Sequence, residues 1–139
     1  MTDSIDNINQ LNVLYGAGQI GKLALFALNK KNIKVDYFCD THKSKKNKSF
    51  YGVKVISPED LVNIKKVVNI YISNTYMEDD YSYLKKLKFE NIYDCEKLFE
   101  TTDFSGFDIN PDPKLDKIFA HKPINVERMI ASYKSHKLV

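Results

Sequence analysis

Short apolar runs alternate with amphipathic stretches over the first part of the chain. Residues 12–15 form an apolar run that stops at Gly16, which predicts a buried strand. Apolar residues then recur at helical spacing as far as the polar segment 29–32, which is typical of a helix exit. Residues 35–39 predict a second strand, which Asp40 ends.

The middle of the chain continues this alternation. A polar, lysine-rich loop is predicted over residues 41–49, followed by a third extended segment over residues 51–56 that suits a sheet edge. Ser57 is placed as the N-cap of a helix, because Pro58 fits the first turn that follows it. The β-branched residues 67–73 form the strongest strand pattern in the sequence.

Two further elements follow the strongest strand. Residues 78–87 predict a helix with Tyr81, Leu84 and Leu87 on one face. Residues 91–95 predict a last short strand, and a helical turn begins directly after it. The alternation of strands and helices is typical of an α/β fold with a mostly parallel, short-stranded sheet.

The glycine pattern after the first strand adds candidate chemistry to this fold. Gly16, Gly18 and Gly21 match the G-x-G-x-x-G dinucleotide-binding fingerprint. We predict that Gly16 permits a tight turn, Gly18 lets a pyrophosphate approach the backbone, and Gly21 lets the helix pack on the strand. We therefore expect a three-layer, Rossmann-like α/β domain. The predicted turn comprises Gly16, Ala17, Gly18, Gln19, Ile20 and Gly21.

Two features would complete a nucleotide site at this turn. The amides of Gly18, Gln19 and Ile20 would lie at a helix N-terminus, which attracts anions. Asp40, followed by Thr41, ends the second strand, where a carboxylate can bind ribose hydroxyls. The alternative is that the glycines serve only the turn and that Asp40 caps a loop.

Other polar residues are compatible with the same site. The lysine-rich loop could neutralise a phosphate near Asp40, or it could be a solvated, mobile loop. Ser73 and Asn74 end a central strand, where ligands of open α/β sheets bind. Asn74 has an equal alternative role as the N-cap of the following helix. Tyr76 could line the cleft or pack within the loop.

The composition fits one soluble domain. The chain has 139 residues, 43% hydrophobic and 28% charged, which is typical of soluble globular proteins. No apolar run approaches the roughly 18 residues needed to span a bilayer, and the polar start excludes a signal peptide. We therefore expect a cytoplasmic protein without a membrane partner.

The charge and the cysteine content argue against nucleic acid and metal ions as partners. The net charge is +3, and Arg128 is the single arginine, which argues against nucleic-acid binding. Cys39 and Cys95 lie far apart without metal-ligand spacing, so we expect free thiols and no metal site. No nucleophile elbow or Ser-His-Asp arrangement is visible. The sequence therefore predicts a binding site without a catalytic constellation.

The C-terminal part differs in character from the rest. We expect residues 1–11 to be a polar lead, residues 12–99 to be the nucleotide-binding domain, and residues 100–139 to be a loop and helical extension or a linker to a further domain. Asn125 is predicted to cap a helix there. The apolar stripe of that helix could dock on a partner domain, on a second copy as a homodimer, or on its own sheet. It consists of Val126, Met129, Ile130 and Tyr133.

The sequence of residues 13–61, with the glycine turn, the strand-ending Asp40 and the segment YGVKVISPEDL, resembles part of a small module of bacterial sugar-modifying enzymes. The module is similar to the N-terminal domain of PglD-type sugar acetyltransferases. It also accompanies FkbM-type methyltransferases and precedes some radical-SAM domains. The resemblance covers about residues 12–99, with Lys54 where the family often has proline. It implies that the glycine turn and Asp40 contact a nucleotide, and that Ser73 and Asn74 contribute.

Three hypotheses of function follow. The first is a nucleotide- or sugar-nucleotide-binding module, the N-terminal part of a larger transferase or other enzyme of surface-sugar metabolism, with a UDP-sugar or NAD(P) as ligand. The second is a small NAD(P)-dependent oxidoreductase, against which only about half of a full dinucleotide fold is present. The third is an interaction or scaffold domain whose pocket has decayed.

Overall fold

A computed structural model describes residues 10–136 of the chain, and its centre is a six-stranded sheet. The strands lie in the order β3-β4-β2-β1-β5-β6, and every pair is parallel except β3 and β4. In chain order they are β1 (Gln10–Tyr15), β2 (Tyr37–Cys39), β3 (Ser49–Phe50), β4 (Val53–Ile56), β5 (Val67–Ile72) and β6 (Ile92–Tyr93).

Five α-helices and two short 3₁₀ helices accompany the sheet in the described residues. The 3₁₀ helices are Lys43–Lys45 and Lys117–Phe119. None of the helices described is long and apolar enough to cross a membrane. The α-helices are α1 (Gln19–Lys30), α2 (Pro58–Val62), α3 (Met77–Lys86), α4 (Glu96–Glu100) and α5 (Val126–Ser135).

The strand order explains why helices cover both faces of the sheet. From β1 the chain crosses through α1 to β2 on one side, whereas from β5 it crosses through α3 to β6 on the other side. Right-handed crossovers that run in opposite directions place their helices on opposite faces of the sheet. The fold is therefore the predicted α/β, Rossmann-like architecture with a mostly parallel sheet.

The predictions for the third extended segment and for the lysine-rich loop each missed a local feature. Residues 51–56 do not form one strand, because Tyr51 and Gly52 have φ angles of +49° and +82° and turn the chain between β3 and β4. Two successive positive φ values are typical of a tight hairpin turn. The predicted loop over residues 41–49 also contains the first 3₁₀ helix and the start of β3. The hairpin does form a sheet edge, as expected.

Other element boundaries differ by a few residues. The second strand begins at Tyr37 rather than at residue 35, and the last strand contains only Ile92 and Tyr93.

Ser57 is the N-cap of α2 and exchanges hydrogen bonds with Asp60, as a capping box does. The predicted cap at the start of α2 is therefore confirmed.

The prediction of which residues form the buried face of α3 was partly wrong. Leu84 is fully buried, but Tyr81 is 40% exposed and does not share that face. Met77 is buried and Asp80 is half-buried, so the inward face repeats at positions 77, 80 and 84. The prediction failed because a carboxylate occupies an inward position.

The C-terminal segment packs on the domain rather than away from it. The predicted stripe of α5 lies against the core, and Tyr133 is only 1% exposed. The Tyr133 hydroxyl donates to the Ile72 carbonyl (2.7 Å) and accepts from the Cys95 amide (2.8 Å). In the described residues this stripe therefore docks on its own domain, which was one of the three alternatives.

A buried lysine of α1 holds the preceding part of this segment. Lys22 is only 6% exposed, and its ammonium donates to the carbonyl oxygens of Asp108 and Asn110. The same ammonium lies 4.7 Å from the centre of the Tyr51 ring and 4.9 Å from that of Phe107. Two carbonyls and two aromatic faces replace the water that a buried ammonium loses.

Candidate nucleotide-binding site

The candidate site lies where the strand order reverses. β1 has β2 on one side and β5 on the other, and all three strands are parallel. Their carboxyl ends therefore meet at one edge of the sheet, which is where ligands of open α/β sheets bind. Gly16, Asp40 and Ser73 each follow one of these strands.

Two of the three glycines are required by packing. Gly16 has φ +130°, and a Cβ there would lie 2.7 Å from the Ser73 carbonyl oxygen. A Cβ on Gly21 would collide with the Gly16 carbonyl oxygen and lie 3.0 Å from the Phe38 ring. Helix α1 can therefore approach β1 closely only if position 21 lacks a side chain.

Gly18 differs from the other two glycines. Its φ is −138°, which any residue adopts, and a Cβ there would meet nothing within 4 Å. The fold itself does not require glycine at this position. The space that a side chain would occupy is left open beside the start of α1.

Unpaired amides line that open space. Gly18 is the N-cap of α1 and provides no side-chain cap, and the first turn of the helix holds no acidic residue. Within residues 10–136, the amides of Gly18, Gln19 and Ile20 have no hydrogen-bond acceptor. Free N–H groups and the helix dipole together create a positive potential that suits a phosphate.

A cavity of about 380 Å³ opens at these amides. That volume falls in the range of small-molecule sites. Of the predicted site residues, every one except Gly21 lines it, and Gly21 serves helix packing instead. The lining comprises Gly16, Ala17, Gly18, Gln19, Ile20, Asp40, Thr41, Lys45, Ser73, Asn74, Thr75, Tyr76 and Met129.

Asp40 connects the end of β2 to the glycine turn. Its Oδ2 accepts from the Ala17 amide (2.9 Å), and its Oδ1 accepts from the His42 amide (2.8 Å). A carboxylate has about four acceptor sites, so both oxygens keep capacity for a ligand hydroxyl. The predicted ribose contact therefore stays a prediction, and Asp40 has a structural role in addition.

Lys45 brings a cation to the same place. Its ammonium donates to the Ala17 carbonyl (2.9 Å) and lies 3.6 Å from Asp40 Oδ2. Lys46 and Lys48 pair with Asp60 and Asp116 at 3.6 and 2.7 Å. Three lysines of this segment thus lie close to acids, and Lys45 is the one among them that also lines the cavity.

Ser73 and Asn74 lie at the cavity but also hold the turn. The Ser73 hydroxyl donates to the Gly16 carbonyl (2.9 Å) and is buried. The Asn74 amide group donates to the Tyr15 carbonyl (3.2 Å) and to Asp80 Oδ2 (2.7 Å). Asn74 is not the N-cap of α3, because the helix begins at Met77 after Tyr76. Asn74 instead closes an Asx turn through the Tyr76 amide.

Several lining residues were not predicted from the sequence. Met129 reaches the cavity from α5, and a neighbouring cavity of about 320 Å³ lies between the glycine turn and residues 118–122. Gln19 contacts this segment through the Lys122 carbonyl (3.3 Å). No local sequence pattern indicates these contacts, because they join residues about a hundred positions apart.

The described residues hold neither a cluster that could ligate a metal nor an activated thiol. No group of three or more His, Cys, Asp or Glu side chains in residues 10–136 is arranged to bind a metal ion. Burial raises the pKa of the Cys39 thiol, and it raises that of Cys95 to about 12. Neither cysteine is therefore a thiolate near neutral pH.

The strand order, the glycine turn and the crevice at the switch point define a Rossmann-like α/β domain. One solved structure that resembles it is UDP-D-quinovosamine 4-dehydrogenase from Vibrio fischeri, with 20% sequence identity and a TM-score of 0.48. The match covers 60% of this chain and 75% of that one. No protein-family model matches the sequence, and no curated protein matches it.

Proposed function

We propose that this chain is a nucleotide-binding domain. The observation that carries the proposal is the coincidence of three unpaired amides, an open Gly18 and a cavity of about 380 Å³ at the switch point of the sheet. A phosphate on these amides would receive hydrogen bonds that nothing in residues 10–136 now accepts.

The neighbouring side chains suit the rest of a nucleotide. The Lys45 ammonium lies beside the turn and supplies a positive charge for a phosphate. Asp40 keeps lone pairs for ribose hydroxyls, as the sequence predicts, and its charge disfavours a ligand with a 2′-phosphate. The ligand class is therefore a nucleoside diphosphate or a molecule that contains one.

The resemblance supports a finer version of the proposal. In the sugar-modifying enzymes that residues 12–99 resemble, this module accompanies a separate catalytic part. The described residues contain a cavity but no metal cluster and no activated thiol. We therefore propose a cytoplasmic, nucleotide- or sugar-nucleotide-binding module that acts together with the catalytic part of a larger enzyme.

Gly18 provides the sharpest test. Gly18→Ala places a methyl group in the open space at the amides without touching the fold. Titration calorimetry with UDP-sugars, NAD and ADP should show binding to the unchanged chain and a loss of at least tenfold in affinity for the variant. Ligand at about a hundred times its Kd should also stabilise the unchanged chain by about 2.7 kcal/mol in thermal unfolding.

The control is the stability of the variant without ligand. Gly18→Ala should unfold within about 1 kcal/mol of the unchanged chain, since Ala is a poorer N-cap than Gly but meets no atom. If none of these ligands binds the unchanged chain at millimolar concentration, the proposal is wrong. Equal binding by both chains would place the ligand elsewhere on the molecule.

A further inference from the structure

A small polar pocket opens beside the nucleotide cavity. Its volume is about 70 Å³, and three of its residues (Tyr15, Cys39 and Asp80) do not line the larger cavity. The two cavities share the other five lining residues, so a group that enters the small pocket can belong to a molecule in the large one. The shared residues are Gly16, Asp40, Thr41, Asn74 and Tyr76.

Tyr15 supplies an unused polar group at this pocket. The residue is only 2% exposed, and its hydroxyl oxygen is buried without a hydrogen-bond partner among residues 10–136. Leaving a buried hydroxyl unpaired costs about 1–3 kcal/mol. The fold gains nothing from this hydroxyl, which suggests that its partner arrives with a ligand.

Asp80 supplies a second unused atom. Its Oδ2 accepts from the Asn74 amide group at 2.7 Å, whereas its Oδ1 has no hydrogen bond in residues 10–136. No lysine, arginine or histidine of the described chain lies within 4 Å of this carboxylate. Burial raises the pKa of Asp80, and the neighbouring Asp79 and Asp40 charges add to the rise. Because the Oδ1 atom is an acceptor that no donor in residues 10–136 uses, a hydrogen-bond donor is the complementary group.

We propose that this pocket takes the amino-bearing edge of a nucleobase, as in adenine or cytosine. The exocyclic amino group would donate to Asp80, and the adjacent ring nitrogen would accept from the Tyr15 hydroxyl. A base with a carbonyl at that edge, such as uracil or hypoxanthine, would bring an oxygen against the carboxylate.

The sizes of the two cavities fit this arrangement. The small pocket has room for an edge but not for a whole ring, so the ring itself would stay in the larger cavity. Tyr76 lines both cavities and is 69% exposed. An exposed aromatic ring at this position offers a face on which a base can stack.

The inference rests on the proposed nucleotide binding and decides between its ligands. The proposed function is compatible with either a UDP-sugar or NAD as ligand. An amino-selective pocket favours the adenine nucleotide, because uracil presents a carbonyl where adenine presents an amino group.

The test compares matched base pairs by titration calorimetry on the full chain. ADP should bind at least tenfold more tightly than IDP, and CDP at least tenfold more tightly than UDP. Asp80→Asn should reduce or reverse both ratios, because an amide group can donate to a carbonyl. Tyr15→Phe should weaken ADP binding severalfold while leaving thermal stability equal or higher, since the lost hydroxyl is unpaired in the free protein.

The outcomes separate this inference from the proposed function. If ADP, IDP, CDP and UDP bind with equal affinity, the nucleotide site stands and the amino-selective pocket is wrong. Unchanged ratios in Asp80→Asn would equally overturn it, as would a loss of stability in Tyr15→Phe. If none of the four nucleotides binds, the proposed function and this inference fail together.

Discussion

The glycine turn and the C-terminal segment both pack against α1, but different kinds of contact hold them. In the turn, the missing side chains of Gly16 and Gly21 let backbone atoms approach closely, at the carbonyl oxygens of Ser73 and of Gly16. In the C-terminal segment, single polar side chains bridge long separations, as Lys22 does to Asn110 and Tyr133 does to Ile72.

This difference shows which parts of a small domain a local pattern can encode. A missing Cβ acts on its immediate surroundings, so the spacing of glycines predicts the turn directly. The partner of a buried ammonium or hydroxyl depends on how the whole chain folds. The C-terminal segment therefore has no local pattern that assigns it to the domain.

The largest effect should come from the turn. Gly21→Ala drives a methyl group into the Gly16 carbonyl and the Phe38 ring, so we expect a loss of about 3 kcal/mol in the free energy of unfolding. Urea unfolding measures it, with Gly18→Ala as the matched control. Equal stability of the two variants would show that close packing does not define the turn.

A smaller loss should follow at the C-terminal segment. Tyr133→Phe leaves the Cys95 amide without its acceptor and removes one donor from the Ile72 carbonyl, so we expect a loss of about 2 kcal/mol. Tyr81→Phe, at an exposed tyrosine of α3, should change stability by less than about 0.5 kcal/mol. If both variants unfold alike, α5 is not anchored through the Tyr133 hydroxyl.

The smallest effect concerns pH. The pKa of Asp116 is lowered, chiefly by its hydrogen bond with Lys48, so its contribution to stability is present above the ordinary carboxyl pKa and is lost as pH falls. The pKa of Asp80 is raised by burial, so its contribution has the opposite sign and is lost as pH rises.

Thermal unfolding between about pH 3 and 7 tests these signs, because ordinary carboxyl pKa values lie near 4. The stability of the unchanged chain relative to Asp116→Asn should decrease as the pH falls. Its stability relative to Asp80→Asn should increase over the same pH range. Parallel curves for the three chains would show that neither carboxyl is perturbed by the fold.

The fold was largely predictable because its elements follow local patterns. Strands β1 and β5 are rich in apolar residues, and Ser57 with Pro58 marks the start of α2. The β3–β4 hairpin was missed because Tyr51 occupies a positive-φ position where Gly or Asn is more usual.

The candidate site was predictable only in part. The glycine turn and the acid that ends β2 follow a spacing rule, and both lie at the cavity. Asp80 lies in the first turn of α3, where the helix dipole alone favours a carboxylate, so no sequence pattern assigns it to the pocket. Met129 could not be found, since it reaches the cavity through the docking of α5.

Ligand binding in the candidate cavity would be coupled to the docking of the C-terminal segment. Met129 and residues 118–122 line cavities that include Gly18 and Gln19. A molecule that contacts the turn and this segment at once would stabilise the docked position of the segment. By thermodynamic reciprocity, whatever loosens the segment weakens that molecule's affinity by the same factor. Lys22 does not line the candidate cavity, but through the carbonyls that it binds it would then affect the affinity for such a molecule.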